Sequence, residues 1–191
     1  MPIKNSLRVG LDCRLAGSQH AGIGRYTENL LRELLNLTCQ PKLQNRITWI
    51  LFFYDRTQAQ EVLGSLLKSD NVELVYAPIR HYSLREQLQM PAIFRRAKLS
   101  ILHIPHFNLP IFYRGKLVIT IHDLLWHQQK GLMVTTLNPI QYFLKYLAYR
   151  YVSSRAVRQA GKILVPSQTI KETVLRYYPQ VAKKIVLSPE G

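Results

Sequence analysis

Two groups of residues in this chain have types and spacings suited to chemistry. The first is a glycine loop, Gly17, Gly22 and Gly24, set between the apolar run Leu7-Arg8-Val9-Gly10-Leu11 and a helical pattern that begins at Ile23. A strand–loop–helix turn of this kind offers unpaired backbone N–H groups and a positive dipole end, which suit a phosphate. The spacing matches neither the dinucleotide-binding fingerprint nor a P-loop. Two readings therefore stand: glycines that permit a tight turn, or a Gly22-Ile23-Gly24 backbone that closely approaches a phosphate, with Arg25 adding charge and Tyr26 a stacking face. The second group is histidine. Six are present, and His103, His106 and His122 fall in or beside apolar runs. His103 lies inside its run and reads as core. His106 and His122 follow two different runs, where a neutral imidazole could hydrogen-bond a sugar hydroxyl or polarise a leaving group. Asp123 could bond a ligand hydroxyl or cap a backbone turn.

These residues need elements to hold them. Leu7 to Leu11 reads as a buried strand and Ile23 to Leu37 as the following helix. Pro41 and Asn45 mark a loop. Ile47 to Tyr54 is nearly all apolar and rich in β-branched and aromatic residues, as a strand covered on both faces should be. A helix is predicted from Thr57, as N-cap, to Leu67, and an alternating strand over Val72 to Tyr76. Ser83 to Ala97 is helical in pattern, with a break or restart expected at Pro91. Short buried strands follow at Ile101 to Ile104, Leu117 to Ile121 and Ile163 to Val165, and a last one at Lys184 to Leu187. Gly131 to Thr136 is irregular. Asn138 and Pro139 open a long helix to about Ala160, and Ser167 caps another to about Tyr178. Alternating strands and helices imply an α/β fold, a parallel sheet with helices on both faces. The turns after its strands then share the rim where ligands bind in such sheets.

Composition narrows the classes. With 47% hydrophobic and 19% charged residues the balance is that of a globular domain. The charge is lopsided: 26 Lys and Arg against 11 Asp and Glu, or +15. Such an excess favours polyanionic partners: nucleic acid, an anionic membrane surface or phosphorylated ligands. Two cysteines, Cys13 and Cys39, are too few for a disulfide framework and lack metal-ligand spacing. Acidic residues are too scarce for a divalent-metal cage, so no metal is expected. Met1 to Ser6 is not a secretory signal, and no apolar run approaches the ~20 residues that span a bilayer. The helix from Asn138 sets Ile140, Leu144, Leu147, Ala148 and Tyr151 to one side, with tyrosines and basic residues around the remainder. That mixture suits either a membrane interface or the solvated face of a packed helix.

The order of the motifs resembles glycosyltransferase family 4. Leu7 to Arg14 followed by Ala21-Gly22-Ile23-Gly24-Arg25-Tyr26 resembles the opening of that family. Arg85-Glu86-Gln87 with Pro91, His103-Ile104-Pro105, Ile119-Thr120-Ile121-His122-Asp123-Leu124, Ile163 to Ser167, and Lys184 to Val186 with Pro189-Glu190-Gly191 are similar to its later segments, in sequence order. Gly161 and Ser100 stand where the family usually has Asp, positions that serve local structure. The resemblance implies a Rossmann-like domain, one half of a GT-B fold, in a retaining, metal-independent transferase that uses a nucleotide sugar as substrate and no other cofactor.

Residues 1–191 would form its N-terminal, acceptor-side domain, with the donor-binding C-terminal domain outside this chain and supplied in cis or in trans. The resemblance implies His122 near the transferred sugar as the catalytic residue and Gly22, Ile23 and Gly24 as the donor-phosphate loop. Arg25, Tyr26, His106 and Asp123 are then the expected acceptor contacts. The acceptor would be a glycan or a lipid-linked sugar, as in polysaccharide biosynthesis, handled in the cytoplasm or at the inner face of a membrane. The alternative is a basic module for nucleic acid or an anionic surface, although no nucleic-acid motif is visible. An ordinary Rossmann cofactor domain is disfavoured, because Asp55 comes too late after the loop to bind a ribose.

Overall fold

The apolar runs assemble into one parallel sheet. The computed structural model describes residues 6–38, 40, 43, 46–64, 71–124 and 138–189. Within them the strands are β1 (Leu7–Asp12), β2 (Ile47–Phe53), β3 (Val72–Tyr76), β4 (Ile101–Ile104), β5 (Leu117–Thr120), β6 (Lys162–Val165) and β7 (Ile185–Leu187). The helices are α1 (Ala21–Thr38), α2 (Arg56–Leu63), α3 (Leu84–Arg96), α4 (Pro139–Gln159) and α5 (Gln168–Tyr177). The strands lie in the order β3-β2-β1-β4-β5-β6-β7, and every neighbouring pair is parallel. Because β2 leaves β1 on one side and β4 joins it on the other, the order reverses between β1 and β4. Such a switch point opens a crevice at the carboxyl ends of the strands.

The period-two geometry of a strand explains how β2 serves two cores at once. Trp49, Leu51 and Phe53 pack on Leu31 and Leu35 of α1 and on Ala59, Val62 and Leu63 of α2. Ile50 and Phe52 face the other way, into the core that holds Met90 and Phe94 of α3, and Phe52 meets Phe94 edge to face at 4.8 Å. This two-sided burial is why β2 reads as continuously apolar.

Local chemistry moves three predicted boundaries. Asp55, not Thr57, caps α2: its Oδ1 accepts the Gln58 N–H at 2.9 Å, and Gln58 Oε1 accepts the Tyr54 N–H at 2.7 Å. This resembles the reciprocal capping arrangement that an Asp followed three residues later by Gln favours. The described helix ends at Leu63, with Gly64 at φ +47° as its C-cap, and Leu67 lies outside the described residues. Pro91 does not break α3, which runs unbroken from Leu84 to Arg96. The missing N–H removes a single helical bond, while Met90, Pro91 and Phe94 bury one face and hold the helix together. At the end of the chain Lys184 closes a 3-10 turn, Pro179–Lys184, ahead of β7. Ser100 does serve local structure: its Oγ accepts the Arg8 N–H at 3.1 Å. Cys39, Pro41, Asn45, Gly131 to Thr136, Glu190 and Gly191 lie outside the described residues.

The loop after β1 folds over the start of its own helix. Gly17 adopts φ +101°, which L-residues resist. A 3-10 turn, Ser18–His20, then leads straight into α1, so Gly22 and Gly24 are helical residues rather than loop residues. A Cβ on Gly24 would overlap the Gly17 carbonyl oxygen and lie 3.0 Å from the Leu15 carbonyl, whereas one on Gly22 meets open space. Gly24→Ala is therefore expected to cost about 1–3 kcal/mol through forced backbone movement. Gly22→Ala should be neutral or stabilising by up to about 1 kcal/mol, since alanine favours a helix. Urea unfolding of the two variants checks this, and equal midpoints would remove the packing role of Gly24.

Candidate functional site

β1 delivers Asp12, and just beyond it Arg14, to the rim of the crevice, both buried. Arg14 donates from Nε and Nη2 to the two Asp12 carboxylate oxygens at 2.9 and 2.7 Å, from Nη2 also to Glu86 Oε1 at 2.9 Å, and from Nη1 to the Ile79 carbonyl at 3.0 Å. Glu86 sits in the first turn of α3, where the Ser83 Oγ accepts its N–H at 3.1 Å. Its second oxygen, Oε2, accepts from Asn108 Nδ2 and from the Tyr82 N–H, both at 2.7 Å. Burial works against the Arg14 charge, but Asp12 and Glu86 outweigh it and hold the guanidinium above its ordinary pKa. Burial likewise works against the Asp12 carboxylate, and Arg14 keeps it below the usual value. Gln58 steadies the loop that follows. Its Nε2 reaches the carbonyls of Cys13, Arg14 and Ala16 at 3.2, 3.0 and 2.9 Å.

Three histidines converge at the carboxyl ends of β4 and β5, His103 within β4 and His106 and His122 past the two strands. His106 is 7% exposed, and its Nδ1 accepts the Asn108 N–H at 3.1 Å. The Tyr82 hydroxyl lies 3.3 Å from its Nε2, with the two rings edge to face at 5.9 Å. Burial, then repulsion from His122 and His81, lowers the His106 pKa to about 3. His103, expected as plain core, places Nε2 2.9 Å from Thr120 Oγ1. Burial and then His122 lower its pKa to about 4. The Tyr26 hydroxyl lies 3.2 Å from the same Thr120 oxygen, and its ring meets His122 edge to face with centroids 4.6 Å apart. His122 Nε2 is 3.1 Å from the Pro105 carbonyl. A carbonyl can only accept, so that nitrogen carries the proton.

The residues expected from sequence thus fall into place unequally. Tyr26 on α1 and His122 after β5 touch, and His122 opposes protonation of His106. Arg25 and Asp123 are exposed beside them. Gly22 is exposed and Ile23 half-buried at the start of α1. The close backbone approach at Gly24 is made by the chain itself, through Gly17. Arg14, Glu86, Tyr82, Asn108, Thr120 and Gln58 were not singled out from sequence. Glu86 and Thr120 do lie inside the Arg-Glu-Gln and Ile-Thr-Ile-His segments, and Arg14 closes the first one.

Two cavities flank this cluster. One of about 590 Å³, lined mostly by polar residues, lies between the loop after β1, the Tyr54–Gln58 turn and Arg80 to Tyr82. A second, mostly apolar, of about 700 Å³, lies between α3 and α4. Tyr82 lines both. Both have the size of a small-molecule site. Among the described residues no group of three or more His, Cys, Asp or Glu is placed to hold a metal ion. Among them, too, no helix is long and apolar enough to cross a membrane.

Comparison with known proteins adds a family. The model of Glycosyltransferase Family 4 matches residues 20–191. No curated protein sequence matches significantly. Among solved structures the chain is similar to a glycosyltransferase from Rickettsia africae ESF-5, with TM-score 0.52 and 15% identity over 98% of this chain and 44% of that one. It is also similar to a UDP-N-acetylglucosamine 2-epimerase, with TM-score 0.56 and 17% identity over 96% of this chain and 48% of that one. The chain spans less than half the length of either. At such identities the likeness is one of fold: a Rossmann-like parallel sheet that forms one half of a GT-B architecture.

The desolvated histidines, His106 buried and His103 half-buried, give the site a pH signature. Unfolded, His103 and His106 titrate near the ordinary 6.5; folded, near 4 and 3. Their contribution to stability is complete above about pH 6.5. It is lost as pH falls toward the folded values, because the unfolded chain takes up protons that the fold refuses. The slope is up to about 1.4 kcal/mol per pH unit for each histidine. His103→Gln is expected to flatten the dependence of unfolding free energy on pH between about 6.5 and 4. An unchanged slope would show that His103 is protonated in the folded state.

Proposed function

The chain belongs to glycosyltransferase family 4, and from that premise we propose that it is the acceptor-side half of a retaining transferase. The enzyme takes its sugar from a nucleotide-sugar donor without a metal or a resident cofactor. A second, C-terminal domain, in cis or in trans, holds most of the donor. The observation that carries this reading is the placement of His122. It stands past the carboxyl end of β5 on the rim of the crevice, oriented by the Pro105 carbonyl and packed on Tyr26 from the start of α1.

Each residue has a role in this reading. The backbone N–H groups of Gly22 and Ile23 face the donor diphosphate, favoured by the dipole of α1, with the buried Gly24 acting indirectly by seating the loop. His122 hydrogen-bonds the sugar being transferred and is the catalytic residue. Tyr26, Arg25, His106 and Asp123 contact the acceptor, a glycan or lipid-linked sugar of polysaccharide biosynthesis. His106 and His103, held neutral by burial, act as hydrogen-bonding groups and not as cations.

A cytoplasmic location on the inner face of a membrane is the accompanying proposal. It rests on α4, whose apolar residues Ile140, Leu144, Leu147 and Tyr151 lie exposed instead of packing inward. The exposed Lys145, Arg150 and Arg158 share that helix. An apolar stripe beside basic residues suits an anionic interface better than nucleic acid.

Two measurements test these readings. The chain alone should turn over no nucleotide sugar. Combined with a C-terminal family 4 half it should transfer, and His122→Ala should lower kcat/KM at least about 100-fold, as loss of a transition-state contact does, while the unfolding midpoint stays close to that of the parent. Near-normal turnover in His122→Ala would take His122 out of the mechanism. No turnover or donor hydrolysis with any common nucleotide sugar would end the transferase reading. For the membrane, the chain should float with anionic liposomes and less with neutral ones, and equal retention on both would count against it.

A further inference from the structure

We propose that the groove between α3 and α4 holds the hydrocarbon chain of an anionic, lipid-linked acceptor. This rests on the acceptor-side reading above and names the acceptor's class.

The walls of the groove are the first argument. Leu84, Phe107, Ile111, Ala148, Tyr149 and Val152 line it. Three polar residues of the lining already bond within the protein. Gln87 Oε1 accepts the Ile111 N–H at 2.8 Å, Asn108 Nδ2 donates to Glu86 at 2.7 Å, and Ser83 Oγ donates to the Arg80 carbonyl at 2.7 Å. A ligand there meets chiefly apolar surface, and its affinity comes from apolar area removed from water. Among the described residues of the lining the one charged side chain is Lys145, which suits an anionic linkage and not a neutral or cationic one.

The ends of the groove are the second argument. Tyr82 belongs both to its wall and to the polar cavity, and its ring meets His106 edge to face. A sugar next to Tyr82 would therefore sit within reach of the candidate site. Tyr151 belongs to the wall and also to the exposed stripe of α4. The slot is thus continuous with the surface proposed to face the bilayer. Apolar slot, cation on the wall and polar cavity at one end together match an amphiphile: chain in the groove, phosphate or diphosphate at Lys145, sugar toward Tyr82.

The test is equilibrium binding of n-alkyl phosphates, hexyl to tetradecyl, to the chain as it stands, each kept below its micelle concentration. Affinity should rise about fourfold per methylene, the equivalent of its apolar transfer energy, and level off once the chain fills the groove. Ala148→Trp, at an exposed helical position, should weaken dodecyl phosphate at least about tenfold. Lys145→Glu should weaken dodecyl phosphate and leave neutral dodecyl maltoside unchanged. Affinity independent of chain length, or unaltered by Ala148→Trp, overturns the proposal. So does a groove that sedimentation shows to be covered by a second copy of the chain, released by Ala148→Trp.

The assay needs neither donor nor a C-terminal half. Transfer to a water-soluble glycan without alkyl phosphate binding removes the groove alone. Saturable alkyl phosphate binding without any turnover leaves the groove standing and removes the transferase.

Discussion

The rim of this domain depends on one buried cation. Arg14 has its guanidinium withdrawn from water, and every contact around it compensates that loss: Asp12, Glu86 and the Ile79 carbonyl. A buried charge with one partner removed costs roughly 3–5 kcal/mol, whereas a fully paired one is close to neutral. Asp12 comes from β1, Glu86 from α3, and Asn108, which bonds Glu86, from the segment after β4. The electrostatic demand of one side chain therefore fixes the relative positions of three elements whose apolar packing alone would allow sliding. The two strands it joins, β1 and β4, are the pair that flank the switch point.

That arrangement sets the character of the histidines. His103 and His106 sit where desolvation penalises a charge and where a third imidazole, His122, already stands. Two neutral rings result, each spending a ring nitrogen on a defined partner, Thr120 Oγ1 or the Asn108 N–H. Neither can neutralise a diphosphate. Positive potential for an anionic ligand must come from the dipole of α1, from exposed arginine and lysine, or from another domain. This division leaves hydrogen bonding to the histidines and charge to the periphery, which suits discrimination among uncharged sugar hydroxyls better than tight binding of phosphate.

Much of this was legible in the sequence, for reasons that can be named. Strands buried on both faces must be apolar throughout, so β2 and β5 announced themselves, and the side-chain caps Asn138 and Ser167 did the same for their helices. Asp55 was also legible, since Gln58 stands three residues on, but Thr57 drew the assignment. Pro91 misled because its steric rule is local, whereas α3 is held by tertiary burial. The buried triad was hidden: an arginine two residues past a strand reads as surface, and its partner Glu86 lies 72 residues away. The long helix shows the limit most clearly. Periodicity reveals that Ile140, Leu144, Leu147 and Tyr151 share a side of α4, but not which side the protein covers. The buried side is the other one, with Ser153, Ala156, Val157 and Ala160.

Tyr82 stands between the two cavities. Its backbone sits at φ +60°, a conformation that costs a bulky residue of order 1 kcal/mol or more. The residue is 66% exposed and its ring touches the buried His106 only edge to face, so side-chain packing alone holds it there weakly. What offsets the strain is the N–H bond to Glu86 Oε2, the same carboxylate whose other oxygen neutralises Arg14. The buried charge network thus reaches the surface through one main-chain hydrogen bond and presents a ring between the polar cavity and the apolar groove. A residue that was only a corner of the chain would relax to negative φ at little loss. Tyr82 is held against that relaxation by a carboxylate already committed to the core, which makes the wall between the two cavities a built feature of the rim.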